Sequence, residues 1–415
     1  MKAGRTIMMA AALALLSPVP ALAQLGQAWT RSWQAVPMEM PAPRPAPVVQ
    51  PGQPAPPPPP PAPPSADATF RMVARLSAGG TTLRLRLSNE MGAVPLPIGA
   101  VHVALAGDDG AIVAGTDRIV TFNDNAAPVI PAGAPLVSDP IALKVAPLAK
   151  LVVSIHVPGD TTRLTVHPLG SATALIVPGN QVAAPRLGPG TTSSMRFILS
   201  GVDVAGGPAT ATIVTIGDSI TDGAASTGNT DRRWPDILAE RLVKAGRTGF
   251  AVANAGISGN RLLNTGAGPA ALARFDRDVL SVPGVRYVVV LEGINDIGSA
   301  NRAGTALPSV ADITGAYRQL IARAHDRGVK VIGATVVPYK GAGYYSAEGD
   351  VVRIAVNQWI RTPGNFDGVI DFDRAVGDKA DPLRMAKPYD SGDALHPGDA
   401  GYRAMGEAID LKLFR

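Results

Sequence analysis

Two regimes of hydrophobic patterning divide this chain. From about Phe70 to Val204 the pattern has period two, the spacing of a half-buried strand. Thr82-Leu83-Arg84-Leu85-Arg86-Leu87-Ser88 is the clearest case, with leucines to one face and arginines to the other. Val101–Leu105, Leu151–Val157, Arg163–His167 and Phe197–Val204 are further predicted strands. Gly, Pro, Asn and Asp clusters such as Gly107-Asp108-Asp109-Gly110 separate them. No amphipathic helix interrupts the series, which predicts an all-β sandwich or jelly roll. Trp29-Thr30-Arg31-Ser32-Trp33 reads as one more strand, with both tryptophans on one face.

After Ala205-Gly206-Gly207-Pro208 the pattern changes. Short β-branched runs now alternate with longer segments of helical period. The predicted strands are 211–216, 250–254, 286–291, 330–336 and 368–372. The predicted helices are 234–245, 269–280, 310–327, 347–361 and 397–411. Buried strands separated by helices of this length call for a parallel sheet covered on both faces. Five units suit a flavodoxin-like, doubly wound α/β fold. The predicted organisation is therefore a leader over 1–23, a β domain over 24–204, a linker over 205–210 and an α/β domain over 211–415.

Two segments stand outside this scheme. Lys2 and Arg5, the apolar run Met8–Leu16 and Ala21-Leu22-Ala23 form the basic, apolar and small-residue parts of a secretory signal. The alternative is an uncleaved anchor, but the apolar run is short of the ~20 residues a spanning helix needs. A secreted protein with no stable membrane span is the expectation. Residues 41–64 are dominated by proline, ending in an unbroken run from Pro56 to Pro61. Such a stretch favours extended polyproline II and builds no core. A strand is predicted before it, so it reads as an insertion within the β domain.

Composition narrows the chemistry. The 415 residues contain no cysteine, which excludes disulfides, thiolate nucleophiles and zinc–thiolate sites. Five histidines, with no His-Glu-x-x-His pattern, make a metallohydrolase hard to assemble. The formal charge is +5, and loss of the leader leaves the chain near +3. The basic residues form no run, so no nucleic-acid partner is expected despite the high pI.

Four short segments carry chemistry: Gly217-Asp218-Ser219-Ile220, Asn254-Ala255-Gly256-Ile257-Ser258-Gly259-Asn260, Gly293-Ile294-Asn295-Asp296 and Asp393-Ala394-Leu395-His396. Each follows a predicted strand or precedes a predicted helix, where an open α/β sheet binds its ligands. Ser219 is the candidate nucleophile. A free serine hydroxyl is a poor one and needs a base. His396 is the candidate base, and Asp393, three residues earlier on the same short loop, its orienting carboxylate. Asp390 is a second acid at a less suitable spacing. The N–H groups of Ser219 and Gly259 and the Asn295 amide are the candidate oxyanion donors. His102, His156 and His167 lie in predicted strands and read as polar sheet-face residues. His325 reads as an exposed helix residue.

As a set, these blocks resemble those of the SGNH hydrolases, the GDSL esterase/lipase family, over about residues 211–415. Gly256-Ile257-Ser258-Gly259-Asn260-Arg261 and Leu291-Glu292-Gly293-Ile294-Asn295-Asp296-Ile297 look similar to a secreted branch with an N-terminal β domain, grouped with aryl and xylan esterases. In one departure, Ile294 stands where many members have a second glycine, which narrows the expected pocket beside Asn295. The resemblance implies a serine esterase without cofactor or metal. It also implies a small-molecule or polysaccharide substrate with a short acyl group, such as acetyl on carbohydrate or an aryl alcohol. An O-acetyltransferase would use the same triad on a sugar hydroxyl instead of water. A non-catalytic carbohydrate-binding protein is the rival of another class.

Overall fold

A computed structural model describes residues 28–42 and 63–415. The secretory leader and most of the proline-rich insertion lie outside the described residues.

In the β half two large antiparallel sheets cover one core, with two short two-stranded pairs beside them. One sheet orders the strands Thr30–Gln34, Leu199–Ala205, Gly80–Ser88 and Pro135–Val137, with Ile141–Val145 also on Gly80–Ser88. The other runs Thr191–Ser193, Ala174–Pro178, Ala66–Arg75, Lys150–Asp160, Ala100–Leu105, Arg118–Ile119. Period-two patterning does the work. Leu83, Leu85 and Leu87 face inward against Phe70, Met72, Val153 and Ile155 of the second sheet. Each such buried side chain contributes ~1.5–3 kcal/mol of transfer free energy. On the other face Arg84 pairs with Asp203, and Arg86 with Glu90.

The two tryptophans do not share a face as expected. A bulge between Arg31 and Trp33 shifts the register and breaks the alternation. Trp33 enters the core, while Trp29 lies outside the strand with the Arg84 guanidinium 4.5 Å from its ring centre. The strand Thr30–Gln34 is buried along its whole length because it also faces the α/β half. Arg31 N–H donates to Thr212 Oγ1 and to the Pro283 carbonyl, and Gln34 to the Asp278 carbonyl.

The α/β half has five parallel strands in the order Phe250–Gly256, Ala211–Gly217, Val285–Leu291, Lys330–Ala334, Gly368–Ile370. Numbered along this half, the order is 2-1-3-4-5, the flavodoxin-like arrangement. Its switch point lies at the carboxyl end of Ala211–Gly217. Gly217 is level with Gly256 on one side and Leu291 on the other. Three chain exits therefore open at one height: towards Ser219, Ile257 and Ile294.

The helices are α1 (Ser219–Asp222), α2 (Trp234–Lys244), α3 (Ala271–Phe275), α4 (Ile294–Ala303), α5 (Val310–His325), α6 (Ala347–Arg361), α7 (Phe372–Val376) and α8 (Asp399–Ala408). The short helices α1 and α7 were not predicted, and three others differ from expectation. The helix predicted over 269–280 is α3 followed by a π-helical turn, Asp276–Leu280. The last helix starts at Asp399, after Gly398, so Pro397 lies before it rather than opening it. Helix α4 was not foreseen. Its sequence, Ile-Asn-Asp-Ile-Gly-Ser-Ala, carries Asn295 and Asp296 on its buried side, where both hydrogen-bond the backbone of residues 260–263.

Candidate active site

Ser219 stands at the N-terminus of α1, just beyond the strand Ala211–Gly217. Asp218 caps this helix, its Oδ1 accepting from the Ile220 N–H at 2.8 Å. That cap leaves the Ser219 N–H pointing out of the turn, with no acceptor among the described residues. Ser219 Oγ lies 2.8 Å from His396 Nε2. The other ring nitrogen, Nδ1, lies 2.6 Å from Asp393 Oδ2. The three residues foreseen as a relay are thus brought into one hydrogen-bonded chain.

The loop carrying the acid and the histidine is held by its own side chains. Asp393 Oδ1 accepts from the N–H groups of Leu395 at 2.9 Å and His396 at 2.8 Å. Asp390 makes no hydrogen bond to the histidine ring among the described residues. Its Oδ1 accepts from Gly392 and Ala394 N–H, bending the loop so that Ala394 takes φ +58°. Partial burial alone would raise the Asp393 pKa. Hydrogen bonds from the His396 ring and from the His396 and Leu395 N–H groups outweigh it and hold the carboxyl below its ordinary range.

The second exit forms a tight turn. Asn260 N–H donates to the Ile257 carbonyl at 3.0 Å, which encloses Ser258 and Gly259. Gly259 takes φ +78°, a conformation a side chain disfavours. Its N–H, like that of Ser219, has no acceptor among the described residues. From the third exit comes Asn295 on α4. Its Nδ2 donates to the Asn260 carbonyl at 3.0 Å, and its Oδ1 faces the Tyr344 hydroxyl at 3.3 Å. A carbonyl only accepts, so this fixes which way the amide points. The other Nδ2 hydrogen has no acceptor among the described residues.

Tyr344 is therefore more than general packing. It reaches Asn295 across Gly298, where a Cβ would sit 2.0 Å from the tyrosine ring. Burial, with Asp218 nearby, raises its pKa and keeps the hydroxyl protonated. Ile294 does not narrow the site as expected. It is 2% exposed and packs in the core with Val290 and Ile297. Asp296 grips the second loop from α4, accepting from Leu262 N–H at 2.7 Å and Leu263 N–H at 2.9 Å.

Beneath these groups lies a buried ionic layer that sequence reasoning missed. Arg274 donates to the Gly217 and Ala255 carbonyls, to Asn260 Oδ1 and to Asp278, and lies 3.5 Å from Glu292 Oε1. Its one sequence signal is an arginine directly after the apolar run Ala270-Ala271-Leu272-Ala273. Burial, then Asp218, raises the Glu292 pKa, against the pull of Arg274. Burial likewise pushes the Asp218 carboxyl up to about 7, with Asp296 and Asp222 adding repulsion and Arg274 and the Ile220 N–H opposing.

That shift has a sign. Between the ordinary aspartate value, about 3.9, and about 7, folded Asp218 holds a proton that the unfolded chain has released. Its contribution to stability therefore falls as pH rises through this window. In Asp218→Asn the amide oxygen keeps the cap and nothing titrates. The melting temperature of that variant should fall less than that of the parent on going from the acid to the alkaline side of the window. Parallel curves from scanning calorimetry would contradict this.

The β half also reaches the site. His167 was expected to be a polar sheet-face residue. It is instead buried against α1, its Nε2 2.8 Å from Asp222 Oδ1. His102, His156 and His325 pair with Asp117, Asp67 and Asp367, away from the Ser219–His396 chain.

Residues 215–404 match the model of the GDSL-like lipase/acylhydrolase family, just under half of the chain. No curated protein matches. Solved structures similar to this one include an acetyl xylan esterase from Geobacillus stearothermophilus, 21% identical, covering 50% of this chain and 95% of its own, with a TM-score of 0.39. Another is a GDSL-like lipase from Bacteroides thetaiotaomicron, 19% identical, covering 49% and 87%, with a TM-score of 0.37. A third is the acetyl xylan esterase AlAXEase, 21% identical, covering 48% and 96%, with a TM-score of 0.38. The α/β half of this chain is a GDSL-like lipase/acylhydrolase domain, and the chain is by that family a carboxylic ester hydrolase.

Proposed function

We propose that this protein is a secreted serine esterase acting on short-acyl esters of carbohydrate or aryl alcohols through Ser219, His396 and Asp393. The observation carrying the mechanism is the continuous chain from Ser219 Oγ through the His396 ring to Asp393, beside two N–H groups with no acceptor among the described residues. Ser219 Oγ attacks the ester carbonyl carbon while His396 Nε2 takes its proton. The carbonyl oxygen becomes an oxyanion held by the Ser219 and Gly259 N–H groups and the Asn295 amide. Collapse breaks the bond to the alcohol oxygen, which leaves with the proton from His396. Water, deprotonated by the same nitrogen, then attacks the acyl-enzyme and releases the acid, restoring Ser219.

The short acyl group and the carbohydrate or aryl alcohol come from the resemblance of the four blocks. Export is supported by the basic, apolar and Ala-Leu-Ala pattern of the leader. A panel of p-nitrophenyl esters of increasing acyl length, run beside acetylated xylan, tests substrate class. Acetate should give the highest kcat/KM among the reporters, and xylan should release acetate. Preference for long acyl chains would overturn the short-acyl assignment, and an inert acetylated xylan the polysaccharide one.

A further inference from the structure

The β half is joined to the oxyanion turn by a short chain of hydrogen bonds. Val166 and His167 form an edge pair with Arg196 and Phe197. This places the His167 ring between two acceptors. Nδ1 is 3.0 Å from the Val36 carbonyl, and Nε2 is 2.8 Å from Asp222 Oδ1. A carbonyl and a carboxylate both accept, so both ring nitrogens carry protons. Asp222 Oδ2 in turn accepts from Ser258 N–H at 2.9 Å and Ser258 Oγ at 2.8 Å. Asp222 is also the last residue of α1, one turn after Ser219. One carboxylate therefore ties the turn of the nucleophile to the turn that presents Gly259.

We propose that His167 is a positioning residue for ester hydrolysis: as a buried imidazolium held by the Val36 carbonyl, it fixes Asp222, and through it the separation of the Ser219 and Gly259 N–H groups. The proposal rests on the roles given above to Ser219 and Gly259. Oxyanion donors act by standing where charge develops, and they lose their effect when displaced. A carboxylate shared by two turns holds both only if it is itself held. His167 supplies that hold from outside the α/β half.

The charged groups around the pair agree. Burial alone would lower the His167 pKa; Asp222 and the Val36 carbonyl outweigh it, and the net shift is upward despite repulsion from Arg233. Arg196, in register with His167, is buried and hydrogen-bonds the Gly170 carbonyl. The β half thus contributes to the site by geometry, whatever else it binds.

The test compares His167→Leu, His167→Gln, Asp222→Asn and the His167→Leu/Asp222→Asn double variant, with Ser219→Ala alongside. Each is assayed for kcat and KM on p-nitrophenyl acetate, and folding is followed by circular dichroism. Leucine removes both N–H groups and should lower kcat about 10- to 100-fold with KM changed less than about threefold, a fraction of the value of one oxyanion donor. Glutamine keeps an N–H towards Asp222 and should recover most of that loss. The double variant should lose no more than the worse single one, because both act through one link. A folded leucine variant with undiminished kcat, a glutamine variant as slow as leucine, or losses that multiply would each overturn the proposal. Should leucine prevent folding, Asp222→Asn decides: undiminished kcat there overturns it equally. A fully active Ser219→Ala would instead remove the nucleophile assignment, so the two failures are distinguishable.

Discussion

Ser219→Ala should lower kcat/KM on p-nitrophenyl acetate by about 10⁴- to 10⁶-fold while leaving the fold intact. The size follows from what the hydroxyl does. Without Oγ no acyl-enzyme forms, and the remaining donors can only assist a water that nothing places for attack. The fold should survive because Oγ has a single partner among the described residues, His396 Nε2. The helix cap comes from Asp218 and the Ser219 N–H is retained. Melting curves should therefore superimpose within about 0.5 kcal/mol of stability, the range of substitutions that break no packing or cap. Turnover equal to that of the parent would remove Ser219 from the mechanism.

The hydrogen-bonded chain of Ser219, His396 and Asp393 was legible because its members sit on locally readable structure. Ser219 follows an apolar strand directly, and Asp393 and His396 share a loop four residues long. The sheet order was legible in kind from five buried runs alternating with helices. What escaped was set by contacts between distant segments. The proton state of His167 depends on the Val36 carbonyl and on Asp222, 55 residues further along; no local pattern distinguishes it from His102. Arg274 reads as an ordinary helix residue until the carbonyl ends of two strands close around it. Tyr344, in a turn, reaches Asn295 only because Gly298 on α4 leaves room for its ring. The bulge that separates Trp29 from Trp33 likewise answers to the neighbouring strand and not to the alternation within its own.

The division of labour between the two acids of the histidine loop gives the second large effect. Asp393 Oδ1 is occupied by two backbone N–H groups, from Leu395 and His396, and Oδ2 faces the ring. An asparagine there has one oxygen for two demands. The two N–H groups can be met only by that oxygen, so the amide NH₂ turns towards His396 Nδ1. Nδ1 must then accept, which moves the ring proton to Nε2. A protonated Nε2 can donate to Ser219 but cannot take its proton. Asp393→Asn should therefore lower kcat by about 10³- to 10⁴-fold at neutral pH, as loss of the correct tautomer does in a serine triad. Asp390→Asn is the counterpart. The bonds of Asp390 run from one oxygen to Gly392 and Ala394 N–H, and an asparagine oxygen preserves both, so kcat should stay within about threefold. Steady-state assays of the two variants side by side decide the matter. Equal losses would mean that the loop tolerates neither change and that Asp393 has no separate role in orienting the histidine.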